Sequence, residues 1–139
     1  MDCVFCKIVA GNIPSRKIYE DEYTLAFLDI ANDVDGHTVV IPKMHVNNIL
    51  DCDNDTLIYL VNTIQLISTH YVNNCGYQGV NLLNSSGIAA QQSVSHFHIH
   101  IIPRQNDDGI DAWPIFKGCN LTADEMLQKL RMPDKRCIE

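Results

Sequence analysis

The chain predicts an α+β fold in which a mostly antiparallel sheet is accompanied by one long and one short helix. Three observations carry this. Thr38 to Ile41 (TVVI) is a β-branched apolar run closed by Pro42, as expected of a buried strand. Leu57, Leu60, Val61, Ile64, Ile67 and Tyr71 recur at helical spacing between Asp53 and Asn74, which gives the long helix. His96-Phe97-His98-Ile99-His100 alternates imidazoles with large apolar side chains, the period of a strand with two unlike faces.

The remaining elements follow in order. Cys3 to Ala10 (CVFCKIVA) is a short apolar segment of one or two helical turns, ended by Gly11. After Pro14 and Ser15, Lys17 to Asp21 is a short strand, Glu20-Asp21-Glu22 is a polar turn, and Tyr23 to Ile30 returns as the second arm of a hairpin. Asn32 to Gly36 (NDVDG) is the loop into the TVVI strand. Asp53, Asn54 or Asp55 caps the long helix, and Gly76 ends it. Gly79 to Asn84 (GVNLLN) is a further strand. The polar loop Ser85 to Gln92 (SSGIAAQQ) then runs into the histidine strand, which Pro103 ends. Asp107 to Gly118 is irregular. Thr122 with Glu125 makes a capping box that opens the short last helix, stopped by Pro133. No repeat, low-complexity tract or linker interrupts the sequence, so residues 1–139 read as one domain.

Hydrophobic residues make up 46% and charged residues 19%, ordinary values for a globular chain long enough to hold a core. No apolar run reaches membrane-spanning length, and Met1-Asp2-Cys3 opens no signal peptide, so a cytoplasmic protein without a membrane partner is expected. Of the six cysteines, Cys52, Cys75, Cys119 and Cys137 are scattered and read as packing or surface thiols. Cys3 and Cys6 are spaced as half of a metal site. A net charge of -7 argues against general nucleic-acid binding, while a small phosphorylated ligand needs only local donors.

The histidine row suggests divided labour. At ~3.3 Å per residue, His96 and His100 lie about 13 Å apart on a flat strand, too far to share one zinc with ligand nitrogens at ~2.1 Å. A nucleophile, a helper and a structural residue are one division. A metallohydrolase with His96 and His98 on a catalytic zinc is another.

Gln92-Ser93-Val94-Ser95-His96-Phe97-His98-Ile99-His100-Ile101-Ile102-Pro103-Arg104 closely resembles the signature of the histidine triad (HIT) family, His-x-His-x-His followed by apolar residues. Phe5-Cys6-Lys7-Ile8, Ile13-Pro14, Tyr19-Glu20-Asp21, Ala26-Phe27-Leu28-Asp29-Ile30, Gly36-His37-Thr38 and Val40-Ile41-Pro42-Lys43 resemble family blocks in family order. The resemblance covers residues 3–104. In the tail, 105–139, only Trp113-Pro114 is similar to a family feature, an aromatic-proline segment near a dimer partner's site. It implies the HIT fold, with a five-stranded sheet.

The resemblance also implies a function: hydrolysis at the α-phosphate of a purine nucleotide through a nucleotidyl-histidine intermediate. His98 matches the nucleophile; His100 and His37 match the flanking phosphate-contacting histidines. Ser93 and the amides from Gln92 to Val94 match the phosphate turn, with Gln92 also near the leaving-group oxygen. Asp29 matches the ribose-binding acid, and Phe5, Ile8, Phe27, Leu28 and Ile30 resemble the base pocket. Cys3, Cys6, His45 and His96 match a structural zinc site, which removes His96 from acid–base chemistry. Arg104 aligns with an arginine that is either a surface group or a ligand contact. A homodimer is implied through the long helix and the Gly79–Asn84 strand, and Ile58, Leu66 and Val72 lie off that helix's main apolar stripe. Two positions depart from the family: Gln91 stands where glycine is usual, and Ser85 where asparagine is common. Nucleoside phosphoramidates and diadenosine polyphosphates are the competing substrates; a nucleotide-binding regulatory protein with incidental turnover is the reading from another class.

Overall fold

A computed structural model describes residues 2–133. Its elements are α1 (Val4–Val9), β1 (Lys17–Glu20), β2 (Thr24–Leu28), β3 (Thr38–Pro42), α2 (Asn54–Asn74), β4 (Gly79–Leu83), a 3-10 turn (Ile88–Ala90), β5 (Ile99–Arg104) and α3 (Ala123–Leu130). The five strands are ordered β1-β2-β3-β5-β4 and every neighbouring pair is antiparallel. β5 enters between β3 and β4, which carries the histidine segment onto the middle of the sheet.

Both faces of the sheet are covered, so β3 is buried along its whole length. On one face Ala26, Val40, Phe97 and Ile101 pack with Leu60, Ile64, Ile67 and Tyr71 of α2. On the other, Leu25, Phe27, Val39 and Ile41 pack with Ile8 of α1, while Phe5, Val9 and Ile13 close over them. The period-two alternation of a strand sends neighbouring residues to these two layers.

The long helix starts where Asp53 accepts from the Thr56 amide, and Gly76 follows its C-cap with φ +83°. Its buried stripe is Thr56, Leu60, Thr63, Ile64, Ile67 and Tyr71. Val61, expected in that stripe, is 51% exposed. At 100° per residue it points away from its neighbour Leu60, and Thr63 takes an inward position because its hydroxyl finds a partner. Thr63 shares a hydrogen bond of 2.8 Å with Thr24, and the Tyr71 hydroxyl one of 2.6 Å with Thr38.

Two other expectations are corrected. Pro103 lies inside β5 rather than ending it. The β3–β5 pairing stops at Thr38 opposite Ile101, so beyond that point β5 has a free side and a residue without an N–H is tolerated. Gly36 approaches Pro103 so closely that a Cβ there would lie 2.8 Å from Pro103 Cγ, and its φ is +81°. The strand expected from His96 begins only at Ile99. α3 opens as expected, with Thr122 accepting from the Glu125 amide, and none of its residues is buried. Cys137 lies outside the described residues, and among the described residues no helix is long and apolar enough to cross a membrane.

Candidate active site and metal cluster

Residues 94–96 form a bend, and the ladder begins only at Ile99. The Phe97 amide donates to the Val46 carbonyl at 2.8 Å, and His98 Nδ1–H donates to the His96 carbonyl at 2.7 Å. That carbonyl is thereby taken by a side chain. The three imidazoles still share the α1 face, as the alternation predicts. The Phe5 ring stands edge-on to His96 and His98, with centroids 5.8 and 5.2 Å away, and His98 is 5.0 Å from His100.

The bend turns His96 toward α1. Its Nε2–H donates to the Pro42 carbonyl at 2.8 Å, so Nδ1 keeps a bare lone pair. That nitrogen lies 3.4 Å from Cys3 Sγ and 3.6 Å from Cys6 Sγ. His45 Nδ1 lies 3.3 Å from Cys6 Sγ, with its Nε2 directed at Asn47 Oδ1 3.4 Å away. One ligand atom from each of Cys3, Cys6, His45 and His96 falls within 4.8 Å of all the others. A tetrahedral ion at ~2.3 Å from sulfur and ~2.1 Å from nitrogen has S···N edges of about 3.6 Å, so the donor types and spacing fit such an ion. Each imidazole is held by its other nitrogen, the usual arrangement behind a metal ligand. Burial pushes the Cys6 thiol up, and neighbouring Cys3 adds to this. The same burial holds His96 below the ordinary imidazole value. His98 supplies no atom to this cluster, contrary to the metallohydrolase arrangement.

On the other side of His98 lies a hydrogen-bonded row. His37 Nε2 is 2.8 Å from His100 Nδ1, and His37 Nδ1 is 2.7 Å from Asp33 Oδ1. Asp29 Oδ2 faces both rings, 3.6 Å from His37 Nε2 and 3.9 Å from His100 Nδ1, while its Oδ1 accepts from the Ala31 amide at 2.7 Å. Burial holds His100 below the ordinary imidazole value, with the neighbouring rings of His98 and His37 next in effect. The sequence-predicted His37, His98, His100 and Asp29 are therefore brought together.

The aromatic and aliphatic candidates divide. Phe5 and Phe27 meet edge-to-face at 5.6 Å, and Ile8 and Phe27 are buried below the histidine row. Leu28 is half-buried at the strand end, and Ile30 is 98% exposed on the loop beside Asp29. Ser93 is exposed and Val94 half-buried; with Cys3, Val4, His45 and Asn47 they line a cleft of about 460 Å3. The Gln92 side chain is already committed. Its oxygen accepts from the Gly87 and Asn48 nitrogens, and its amide donates to the Asn47 and Val94 carbonyls at 2.7 and 2.8 Å. It fastens the turn, and a substrate contact would have to displace one of these bonds. Gln91 takes the left-handed conformation that glycine would favour, φ 68° and ψ 31°. Arg104 is likewise spent within the protein, on Asp108 at 2.8 Å and on Asn81 at 2.7 Å.

Sequence reasoning missed four supports. The Pro42 carbonyl orients His96, Asp33 holds His37, Asn84 donates to the His98 carbonyl at 2.8 Å, and Asn48 braces Gln92. Only Asp33 left a trace, an acid four residues before His37 in a loop.

The HIT domain family model matches residues 10–107. An adenosine 5'-monophosphoramidase from Schizosaccharomyces pombe is 36% identical over 118 residues, covering 84% of this chain and 86% of its own. A crystal structure of a HIT family member from Bacillus subtilis superposes with a TM-score of 0.80 at 39% identity, covering 93% of this chain and 92% of that one. A zinc-bound histidine triad family protein from Mycobacterium smegmatis superposes with a TM-score of 0.75 at 39% identity, covering 81% of each chain. The five-stranded sheet, the histidine row beneath α1 and these matches agree: the chain belongs to the HIT family.

Proposed function

We propose that the protein is a nucleotide hydrolase that cleaves at the α-phosphate of a purine nucleotide, with a nucleoside phosphoramidate as the favoured substrate. The observation that carries this is the tautomer of His98. With Nδ1–H given to the His96 carbonyl, the lone pair sits on Nε2, a neutral nucleophile held in one orientation. Nε2 attacks phosphorus, the P–N bond to His98 forms as the leaving group departs with its electron pair, and water later replaces the histidine. Splitting one displacement into two in this way leaves the protein mainly positioning and charge stabilisation to supply.

His100 contacts the phosphate through Nε2, with His37 behind it on Nδ1, and Ser93 with the amides of Gln92 to Val94 forms the phosphate turn. Asp29 takes the ribose hydroxyls through its remaining lone pairs. Phe5, Ile8, Phe27 and Leu28 form the floor for the base, with Ile30 at the rim. Cys3, Cys6, His45 and His96 would hold a zinc ion, and with four protein donors such an ion would serve structurally, tying α1 to the sheet. The similarity to the fission-yeast monophosphoramidase supports the phosphoramidate over diadenosine polyphosphates.

The test is a panel assay of adenosine phosphoramidate and diadenosine polyphosphates on the protein and on His98→Asn. His98→Asn should lose at least about a thousandfold in turnover while AMP binding stays within about tenfold, since the nucleophile goes and the cradle stays. Substantial residual hydrolysis would end the covalent mechanism; AMP binding without turnover in the unaltered protein would favour the regulatory binder.

A further inference from the structure

We infer that Asp33 is a positioning residue, which fixes the proton of His37 on Nδ1 and so sets the direction in which the His37–His100 pair passes a proton to the leaving group and takes one from the attacking water. The inference rests on the hydrolase reading for its consequence, but not for its geometry.

A carboxylate only accepts, so at 2.7 Å from Asp33 Oδ1 the Nδ1 of His37 is the donor. His37 Nε2 is then the one nitrogen of that ring free to exchange a proton, and it faces His100 Nδ1 at 2.8 Å. His100 has spent Nδ1 on His37, which leaves Nε2 for substrate. Two states follow. In the neutral pair His100 Nδ1–H donates to His37 and His100 Nε2 is an acceptor. When the pair takes up one proton, it rests on His37, whose Nε2–H donates to His100 Nδ1, and His100 Nε2–H becomes a donor. The groups facing this charge are Asp33, Asp29 and, across His100, His98. Asp33 bonds to His37 alone, while burial holds His100 below the ordinary imidazole value.

The proton bookkeeping closes over both steps. As His98 Nε2 bonds to phosphorus and the bond to the leaving group breaks, His100 Nε2–H protonates that group and His37 Nε2–H replaces the proton at His100 Nδ1. As water attacks, its proton goes to His100 Nε2, the Nδ1 proton returns to His37, the new P–O bond forms and the P–N bond to His98 breaks. Without Asp33, His37 can flip its proton to Nε2 or rotate, and the pair loses its polarity.

The loop is built to hold this contact. The Asp29 amide donates to the His37 carbonyl at 2.8 Å, Asn32 adopts φ 54°, and Gly36 is wedged against Pro103. Asp33 is 56% exposed, so its effect belongs at the modest end for a group acting through another side chain.

Nitrogen-15 NMR of the imidazoles in the full chain, without substrate, reads the tautomer directly. It is paired with kcat and KM for adenosine phosphoramidate. Asp33→Ala should lose the single Nδ1–H form of His37 and drop kcat about fivefold to tenfold with KM within about twofold. Asp33→Asn, whose amide oxygen still accepts, should recover the tautomer and most of kcat, and Asp35→Ala should leave both unchanged. A His37 that keeps its Nδ1 proton in Asp33→Ala overturns the inference, as does an equal loss of kcat in Asp35→Ala. A tautomer lost in Asp33→Ala in a protein that turns over none of the nucleotides leaves Asp33 in place as the positioning residue and removes the hydrolase reading instead.

Discussion

His96 and His98 stand two residues apart on the same face of the same segment, yet the structure commits them to opposite ring nitrogens. His96 gives Nε2–H to the Pro42 carbonyl and turns a bare Nδ1 to two thiols; His98 gives Nδ1–H to the His96 carbonyl and keeps a bare Nε2. One carbonyl oxygen in each case decides which lone pair remains. The surroundings differ as well. The thiol cluster is closed by four donors from α1, the segment after β3 and the bend before β5. The histidine row beside it is open, with His100 27% exposed in its side chain and the loop acids around it. On the proposed reading, the contrast separates a closed ion site from an open one that acts on a substrate.

The sharpest way to break this contrast is to empty the closed cluster. With zinc bound, Cys3→Ser or a strong chelator should cost on the order of 3 kcal/mol, about 10 °C in Tm for a chain of this size, because a ligand held only by the folded state stabilises it. At temperatures where the protein stays folded, activity should fall far less than in His98→Asn. Metal analysis and thermal melts check the first part. An unchanged melting temperature in chelator would show that the cluster is no structural metal site, and the distinction between the two histidines would lose its basis.

These two clusters were unequally legible in the sequence. The Cys3-x-x-Cys6 pair is local and visible at once, and helical spacing located α2 and most of its stripe. His45 and His96 lie 39 and 90 residues beyond Cys6, so only a family resemblance could join them to the cysteines. The break in the histidine strand was not legible, because period-two alternation survives the bend and reports which face a side chain takes, not whether its backbone pairs. Val61 misled because hydropathy has no angle, while Thr56 and Thr63 were hidden by being polar until their partners were known. Asp33 sat in a loop of acids that reads as solvated, and its role exists only because Gly36 and Pro103 fold that loop back. Contacts made by carbonyls, such as those of Pro42 and His96, carry no residue-type signal at all.

A second test sharpens the contrast, since the closed cluster is complete within one chain and the open row need not be. α2 exposes Ile58, Val61, Leu66 and Val72, and β4, at the edge of the sheet, exposes Leu82 and Leu83. We expect a homodimer at micromolar concentration that covers this face and places Trp113, 76% exposed here, near the partner's site. Leu66→Glu should shift sedimentation to the monomer without releasing the metal, and Trp113→Ala should alter leaving-group preference more than Tm. A wild-type chain that sediments as a clean monomer ends the idea. Unchanged preference in Trp113→Ala makes that residue a surface anchor.

The smallest effect concerns the turn that leads into both sites. Gln91 caps the 3-10 turn in the left-handed region, its amide donating to the Ile88 carbonyl at 2.9 Å. A glutamine there carries a Cβ penalty of about 1 kcal/mol that glycine escapes, partly offset by glycine's greater freedom in the unfolded chain. Gln91→Gly should therefore raise stability by roughly 0.5 kcal/mol, about 2 °C in Tm. Gln92 holds the turn from the other side with four hydrogen bonds, so the backbone path should not change, and neither should metal content. The open row is where a difference can appear: a side chain added beside the phosphate turn narrows it, so removing that chain should favour bulkier leaving groups by a few-fold in kcat/KM while the small phosphoramidate is unaffected. If Tm falls instead, the Gln91 side chain supports the turn rather than straining it. If Tm rises with no change in preference, the strain belongs to the fold alone and the closed and open sites share the turn equally.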